Sequence, residues 1–112
     1  MVVGIHIFMN VYDVPNISLL TNLETGKPLC DTIVQKLDLH VVGEVCHQFQ
    51  PHGYTLLYLL SESHYSIHTY PEYKSCYIDI FCCNKNFNGE SAVKLVSELF
   101  ETSHVNYHIL TR

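Results

Sequence analysis

The stretch SESHYSIHTYPEYKSCYIDIFCC, residues 61–83, sets serines, two histidines and three cysteines inside a largely apolar segment. A buried strand normally avoids such groups, because each polar atom must find a partner. Ser63 follows a carboxylate, Glu62, where a strand is expected to end and a turn to begin. If the backbone there is strained, the hydroxyl can approach the preceding carbonyl. His68 comes after an expected turn at His64–Tyr65, which would return its imidazole toward Ser63. Thr55 and Cys83 are expected on neighbouring strands. A hydroxyl, an imidazole and a thiol would then converge on one peptide bond, the raw material of nucleophilic and general acid–base chemistry. The plainer alternative is that serines and histidines at hairpin ends shape turns, and that a buried cysteine packs as a small apolar residue. No Gly-x-Ser-x-Gly elbow supports a Ser-His-acid hydrolase.

These residues need a scaffold, and hydrophobic periodicity supplies one. Ile5, Ile7, Met9 and Val11 alternate with His6, Phe8, Asn10 and Tyr12, which predicts a strand over Val3–Tyr12 that Pro15 ends. Between Asn16 and Leu37 the apolar residues fall at helical spacing in two pieces. Gly26 and Pro28 interrupt them, predicting a short helical turn and then a helix from near Pro28. Val41–Phe49 and Thr55–Ser61 predict a hairpin around the turn QPHGY, with Ser66–Thr69 and Cys76–Cys83 as further extended segments. Asn88 or Gly89 starts a second helix with a broad apolar stripe, and Val105–Leu110 is the last strand. The expected class is α+β: a two-layer α/β sandwich in the order β-α-β-β-β-α-β, an antiparallel sheet with two helices on one face. The middle strands are apolar enough to call for cover on the other face. A second subunit would supply it, giving a four-layer homodimer.

Composition narrows the function. A chain of 112 residues that is 47% apolar is one folded domain rather than a disordered one. A net charge of −5 argues against nucleic acid and suits a cationic small ligand. The longest apolar run, Tyr54–Leu60 interrupted by Thr55, is of strand length, so no membrane association is expected. No basic-then-apolar leader is visible at the N-terminus, so a cytoplasmic location is expected. Five irregularly spaced cysteines without a Cys-x-x-Cys pair predict reduced thiols, and the histidines lack a zinc spacing, so no metal is expected.

The same stretch resembles the signature of the bacterial and archaeal S-adenosylmethionine decarboxylases: Glu-Ser-His, then Ile-His-Thr-Tyr-Pro-Glu-Tyr, then Asp-Ile-Phe followed by a cysteine pair. CHQFQPHG (Cys46–Gly53) and GIHIFMNVY (Gly4–Tyr12) extend the resemblance over nearly the whole chain. The resemblance implies a pyruvoyl-dependent proenzyme. The Glu62–Ser63 bond would break by serinolysis, leaving a β chain of residues 1–62 and an α chain of residues 63–112. The α chain would begin with a pyruvoyl group made from Ser63, an electron sink that takes the substrate amine. His68 matches the histidine that removes the serine α-proton, and Cys83 the cysteine that reprotonates the product. Thr55 stands where a serine usually assists the ester intermediate. Glu72 matches the acid that holds the ribose hydroxyls, while Phe49 and Tyr70 are candidates to stack on adenine. The family pocket lies at the interface of a homodimer, and the product supplies aminopropyl groups for spermidine.

Departures from the pattern keep alternatives in play. Asn10 stands where a glutamate is common, Asn84 replaces the glycine after the catalytic cysteine, and Ile5 replaces a common basic residue. The loss of an acid at position 10 weakens attraction for a cationic substrate. The same chemistry on ornithine or arginine is therefore an alternative. Another is an unprocessed homologue that regulates an active subunit, although such a partner has no need of Ser63, His68 and Cys83 together.

Overall fold

Alternation in the first strand translates directly into burial. Ile7, Met9 and Val11 are inaccessible, while Phe8 between them is 41% exposed. The computed structural model describes residues 1–112. Its elements are β1 (Ile5–Val11), α1 (Ser18–Thr21), α2 (Leu23–Lys36), β2 (Val41–Gln48), β3 (Tyr54–Leu60), β4 (Ser63–Tyr70), a 3-10 turn (Pro71–Tyr73), β5 (Ser75–Cys82), α3 (Gly89–Phe100) and β6 (Val105–Thr111). The sheet order is β2-β3-β4-β5-β1-β6, and every neighbouring pair is antiparallel. After β1 the chain leaves through α1 and α2 to the far edge. It then meanders back strand by strand until β5 lies beside β1, and α3 carries it over to β6 on the other flank.

This is the expected α+β sandwich, with two local corrections. The middle of the chain carries four strands where the expected order has three. In addition, β4 runs straight through His64–Tyr65, where a turn was expected; the turn is the residue pair Ser61–Glu62. Packing explains the difference. Tyr65 pairs in register with Tyr58, their rings stack at 5.6 Å, and both are fully buried. Burying a phenol ring outweighs the turn preference of the polar residues around it.

The second helix also departs from expectation, starting at Leu23 rather than near Pro28. A tertiary contact caps it. Gln48 on β2 accepts the Leu23 N–H at 2.7 Å through Oε1, and its amide donates to the carbonyls of Thr21 and Gly53. An orphan donor of the first turn is thereby satisfied, and Pro28 further along removes only one ladder bond. Gly26 is required where it stands. A Cβ there would lie 1.9 Å from the Tyr54 hydroxyl, which donates to the Leu19 carbonyl. The third helix starts as expected: the Asn88 side chain accepts the Ser91 N–H at 3.1 Å, and Ala92, Val96 and Phe100 face the sheet.

The helices therefore cover one face only. The other face presents Phe8, Val45, Leu57, Leu59, Tyr70, Tyr77 and Leu110 to solvent, with Leu59 60% exposed. No helix is long and apolar enough to cross a membrane.

Candidate active site

Two clusters of reactive side chains sit at opposite ends of β4. At its start, Ser63 pairs with Leu60 on β3 and Cys82 on β5. Its φ is +147°, whereas the other non-glycine residues with positive φ lie between 52° and 58°, in the left-handed helical basin. A serine in this region carries steric strain of order 1–3 kcal/mol. The carbonyl of Glu62, on the N-terminal side of that residue, accepts the Cys83 N–H at 2.9 Å. The Glu62 carboxylate is held from the other direction: His40 donates its backbone N–H at 3.0 Å and its Nδ1–H at 2.7 Å. Partial burial pushes the Glu62 carboxyl up, but these hydrogen bonds outweigh it and hold it below the usual carboxylate range. The hydrogen bond to Glu62, and then its charge, raise the His40 imidazole.

Cys82 and Cys83 point apart, as adjacent strand residues must. Cys82 is buried against the core and burial raises its thiol, whereas Cys83 is exposed. Cys83 lines a cavity of about 340 Å³ with Gly4, Ile5, Asn84, Lys85 and Thr111. Two of the departures noted in the sequence, Ile5 and Asn84, thus stand beside this thiol.

At the far end of β4, His68 pairs in register with Thr55, and Thr55 Oγ1 lies 3.0 Å from His68 Nδ1. A cavity of about 420 Å³ gathers Phe49, His52, Thr55, His68, Tyr70 and Glu72. His52, which the sequence marked only as part of a turn, reaches Glu72 Oε2 at 3.0 Å. Phe49 is 48% exposed at the rim. Asn10 belongs to this end too, because Thr55, His68, Tyr77 and Asn10 form one row across β3, β4, β5 and β1.

Phe49, Tyr70 and Glu72, expected to bind substrate, are therefore together with Thr55 and His68, which were expected beside Ser63, while Glu62, Ser63 and Cys83 gather at the other end. The two groups do not meet within one chain. Ser63 and His68 lie five positions apart along the strand, a distance of about 17 Å. Thr55 and Cys83 are not on neighbouring strands either: β4 runs between β3 and β5. The expected convergence of hydroxyl, imidazole and thiol failed because it relied on a turn at His64–Tyr65 that core packing abolishes.

Between the two ends, the open face carries a further array that sequence spacing could not reveal. His6, His64 and Asp79 come from three strands, with donor atoms within 4.8 Å of one another. His6 Nε2 is hydrogen bonded to Asp79, and His64 Nε2 lies 3.4 Å from the same carboxylate. Arg112 Nη1 approaches His6 Nδ1 at 3.2 Å, and its guanidinium stacks over Phe81 at 5.3 Å. Arginine only donates, so Nδ1 accepts and Nε2 keeps the proton it gives to Asp79. That proton occupies the direction in which His6 would otherwise offer a lone pair to a cation.

The family model described as S-adenosylmethionine decarboxylase matches residues 5–112. A protein of Archaeoglobus fulgidus named S-adenosylmethionine decarboxylase proenzyme is 39% identical over 112 residues, covering 100% of this chain and 99% of its own. Proteins of the same name from Picrophilus torridus and a Hydrogenobaculum species are 31% and 33% identical, over 98% and 97% of this chain and 84% and 81% of theirs. Among solved structures, the adenosylmethionine decarboxylase of Aquifex aeolicus superposes with a TM-score of 0.89 at 27% identity, over 99% of this chain and 91% of that one.

Proposed function

Since the chain belongs to the S-adenosylmethionine decarboxylase family, we propose that it is a proenzyme that cuts itself between Glu62 and Ser63 and then decarboxylates S-adenosylmethionine, yielding the aminopropyl donor for spermidine. The observation that carries this reading is the strained φ of Ser63 next to a carbonyl already held by the Cys83 N–H. Ser63 Oγ attacks the Glu62 carbonyl carbon. The Cys83 N–H steadies the oxygen as it gains negative charge, as a preorganised donor does in an oxyanion hole. The amide becomes an ester and the strain at residue 63 is available to drive the exchange. Removal of the Ser63 α-proton then expels the new main-chain carboxylate of residue 62, separating a β chain of residues 1–62 from an α chain of residues 63–112. The dehydroalanine left at residue 63 tautomerises to an imine, and water replaces its nitrogen, releasing ammonia and leaving the pyruvoyl group.

A pyruvoyl group fits this position, because it is built from Ser63 itself, and Cys83, whose N–H holds the neighbouring Glu62 carbonyl, opens onto a cavity. When formed, it supplies the electron sink for decarboxylation. The chain's own residues do the rest. Cys83, exposed at the mouth of that cavity, returns a proton to the product carbon. Glu72, oriented by His52, accepts hydrogen bonds from the ribose hydroxyls, and Phe49 and Tyr70 stack on the adenine.

The separation of about 17 Å along β4 and the apolar open face together favour a homodimer stacked sheet on sheet. With the twofold axis crossing the strands, the Thr55–His68 end of one copy lies over the Ser63–Cys83 end of the other. Each pocket then draws on both chains, and His68 of the second copy takes the Ser63 α-proton with Thr55 beside it. The named relatives give no support to ornithine or arginine as substrate, or to an unprocessed regulator. Mass spectrometry of purified protein should find two fragments meeting at the 62–63 junction, the second lacking a free amino terminus. Carbon dioxide should be released from labelled S-adenosylmethionine and not from ornithine or arginine. A fully active preparation with one unbroken chain would falsify the proposal.

A further inference from the structure

On the reading that this chain severs its Glu62–Ser63 bond, we propose that His40 is a positioning residue for the cut, clamping the Glu62 side chain so that the scissile carbonyl stays fixed under attack. The clamp uses backbone and side chain together. His40 donates to both carboxylate oxygens of Glu62, at 3.0 and 2.7 Å, and its own carbonyl accepts the Ser61 N–H at 2.8 Å. On the opposite side the Glu62 carbonyl is held by the Cys83 N–H. Residue 62 is therefore pinned at its side chain and at its carbonyl, with the strained Ser63 next in line.

Such pinning matters because the attack occurs inside a two-residue turn. A small rotation about the Glu62 backbone would swing the carbonyl away from Ser63 Oγ, and misplacement by about 1 Å can slow a reaction by about a hundredfold. The Glu62 side chain is 13% exposed, whereas that of His40 is 64% exposed. The histidine thus reaches in from the loop between α2 and β2, and it lines neither cavity.

The groups facing His40 are Glu62, across the turn, and Asp38, 3.8 Å away on its own loop. Both are carboxylates, so a protonated imidazole holds the clamp most tightly. The clamp loosens as pH rises and the imidazole loses its proton.

Chains made in a cell-free system and sampled by mass spectrometry, from about pH 5 to pH 8, test this directly. The His40→Ala chain should cut about tenfold more slowly than wild type. His40→Asn, whose amide donates without titrating, should recover most of the rate and lose the part of the high-pH slowing that His40 contributes. A merely structural role would move neither the pH profile nor this rescue. If His40→Ala fails to fold, the His40→Asn profile decides, and a profile identical to wild type overturns the proposal. A wild-type chain that never cuts sinks the functional reading along with it. A wild-type chain that cuts while His40→Ala keeps pace sinks the clamp alone.

Discussion

The two ends of β4 are built on different principles. Around Ser63 the contacts are largely backbone bonds within one chain, and the Glu62 side chain is mostly covered. Around His68 the groups are side chains, spread round an open cavity and half exposed. The first step of a reaction of the chain upon itself, attack of Ser63 on the carbonyl before it, needs that carbonyl already aligned within the one chain, since alignment of the reacting groups supplies much of the acceleration. A substrate site can leave its aromatic surface uncovered until a second copy and a ligand bury it, and that burial then contributes to binding. Both ends use the same device, a histidine orienting a glutamate: His40 with Glu62 and His52 with Glu72.

The contrast is open to experiment, most sharply at Ser63. Ser63→Ala should leave a single chain of 12.9 kDa and reduce decarboxylation by at least about a thousandfold, since no group remains to make the electrophile. Cleavage of that variant at the same bond would remove the distinction between a self-acting end and a substrate end.

Mixing variants tests whether the ends cooperate between copies. Cys83→Ala and Glu72→Ala each damage one end, and each chain should still cut itself. Co-expressed, they should recover about a quarter of wild-type activity, because half the dimers are mixed and each mixed dimer holds one intact pocket. No recovery would mean that each pocket is built within a single chain, against the separation along β4.

A milder effect is expected at the substrate end alone. Glu72→Gln should raise KM about tenfold with a smaller change in kcat, as loss of a charged acceptor weakens binding without touching the reacting atoms. An equal fall in kcat and kcat/KM would place Glu72 nearer the chemistry than its cavity position implies.

The smallest effect concerns pH. Glu62 sits below its ordinary value of 4.5, so its contribution to stability is present above that value and lost as pH falls through the depressed one. His40 is raised above 6.5, so its contribution is present below that value and lost as pH rises through the raised one. The pair therefore supports the Ser63 end most between 4.5 and 6.5. Thermal melts across this range should show a shallow maximum in Tm that His40→Ala flattens. His52→Ala, which removes the contact to Glu72 at the other end of β4, should leave the maximum in place.

How much of this was legible before the fold was known depends on the range of the interaction. Alternation named the buried face of β1, and Asn88 marked the cap of α3, because each is a local pattern of period two or a single capping bond. The motif from Ser61 to Cys83 pointed to Ser63, His68, Tyr70, Glu72 and Cys83 as candidates, and the stretch Cys46–Gly53 added Phe49. His52 could have been found in the turn between Phe49 and Tyr54, since a loop histidine flanked by cavity residues is a candidate contact. His40 left no such signal, because it meets Glu62 only across a separation of 22 residues.

By itself, then, the order of residues determined which side chains are capable of chemistry and which face of each element turns inward, since both follow from side-chain type and backbone period. Only the tertiary structure decided that β4 runs straight, that Gln48 starts α2 at Leu23, and that Ser63 and His68 end up a strand's length apart. Those outcomes depend on which residues far apart in the chain are buried together, and the stacking of Tyr58 on Tyr65 overrides the local preference for a turn.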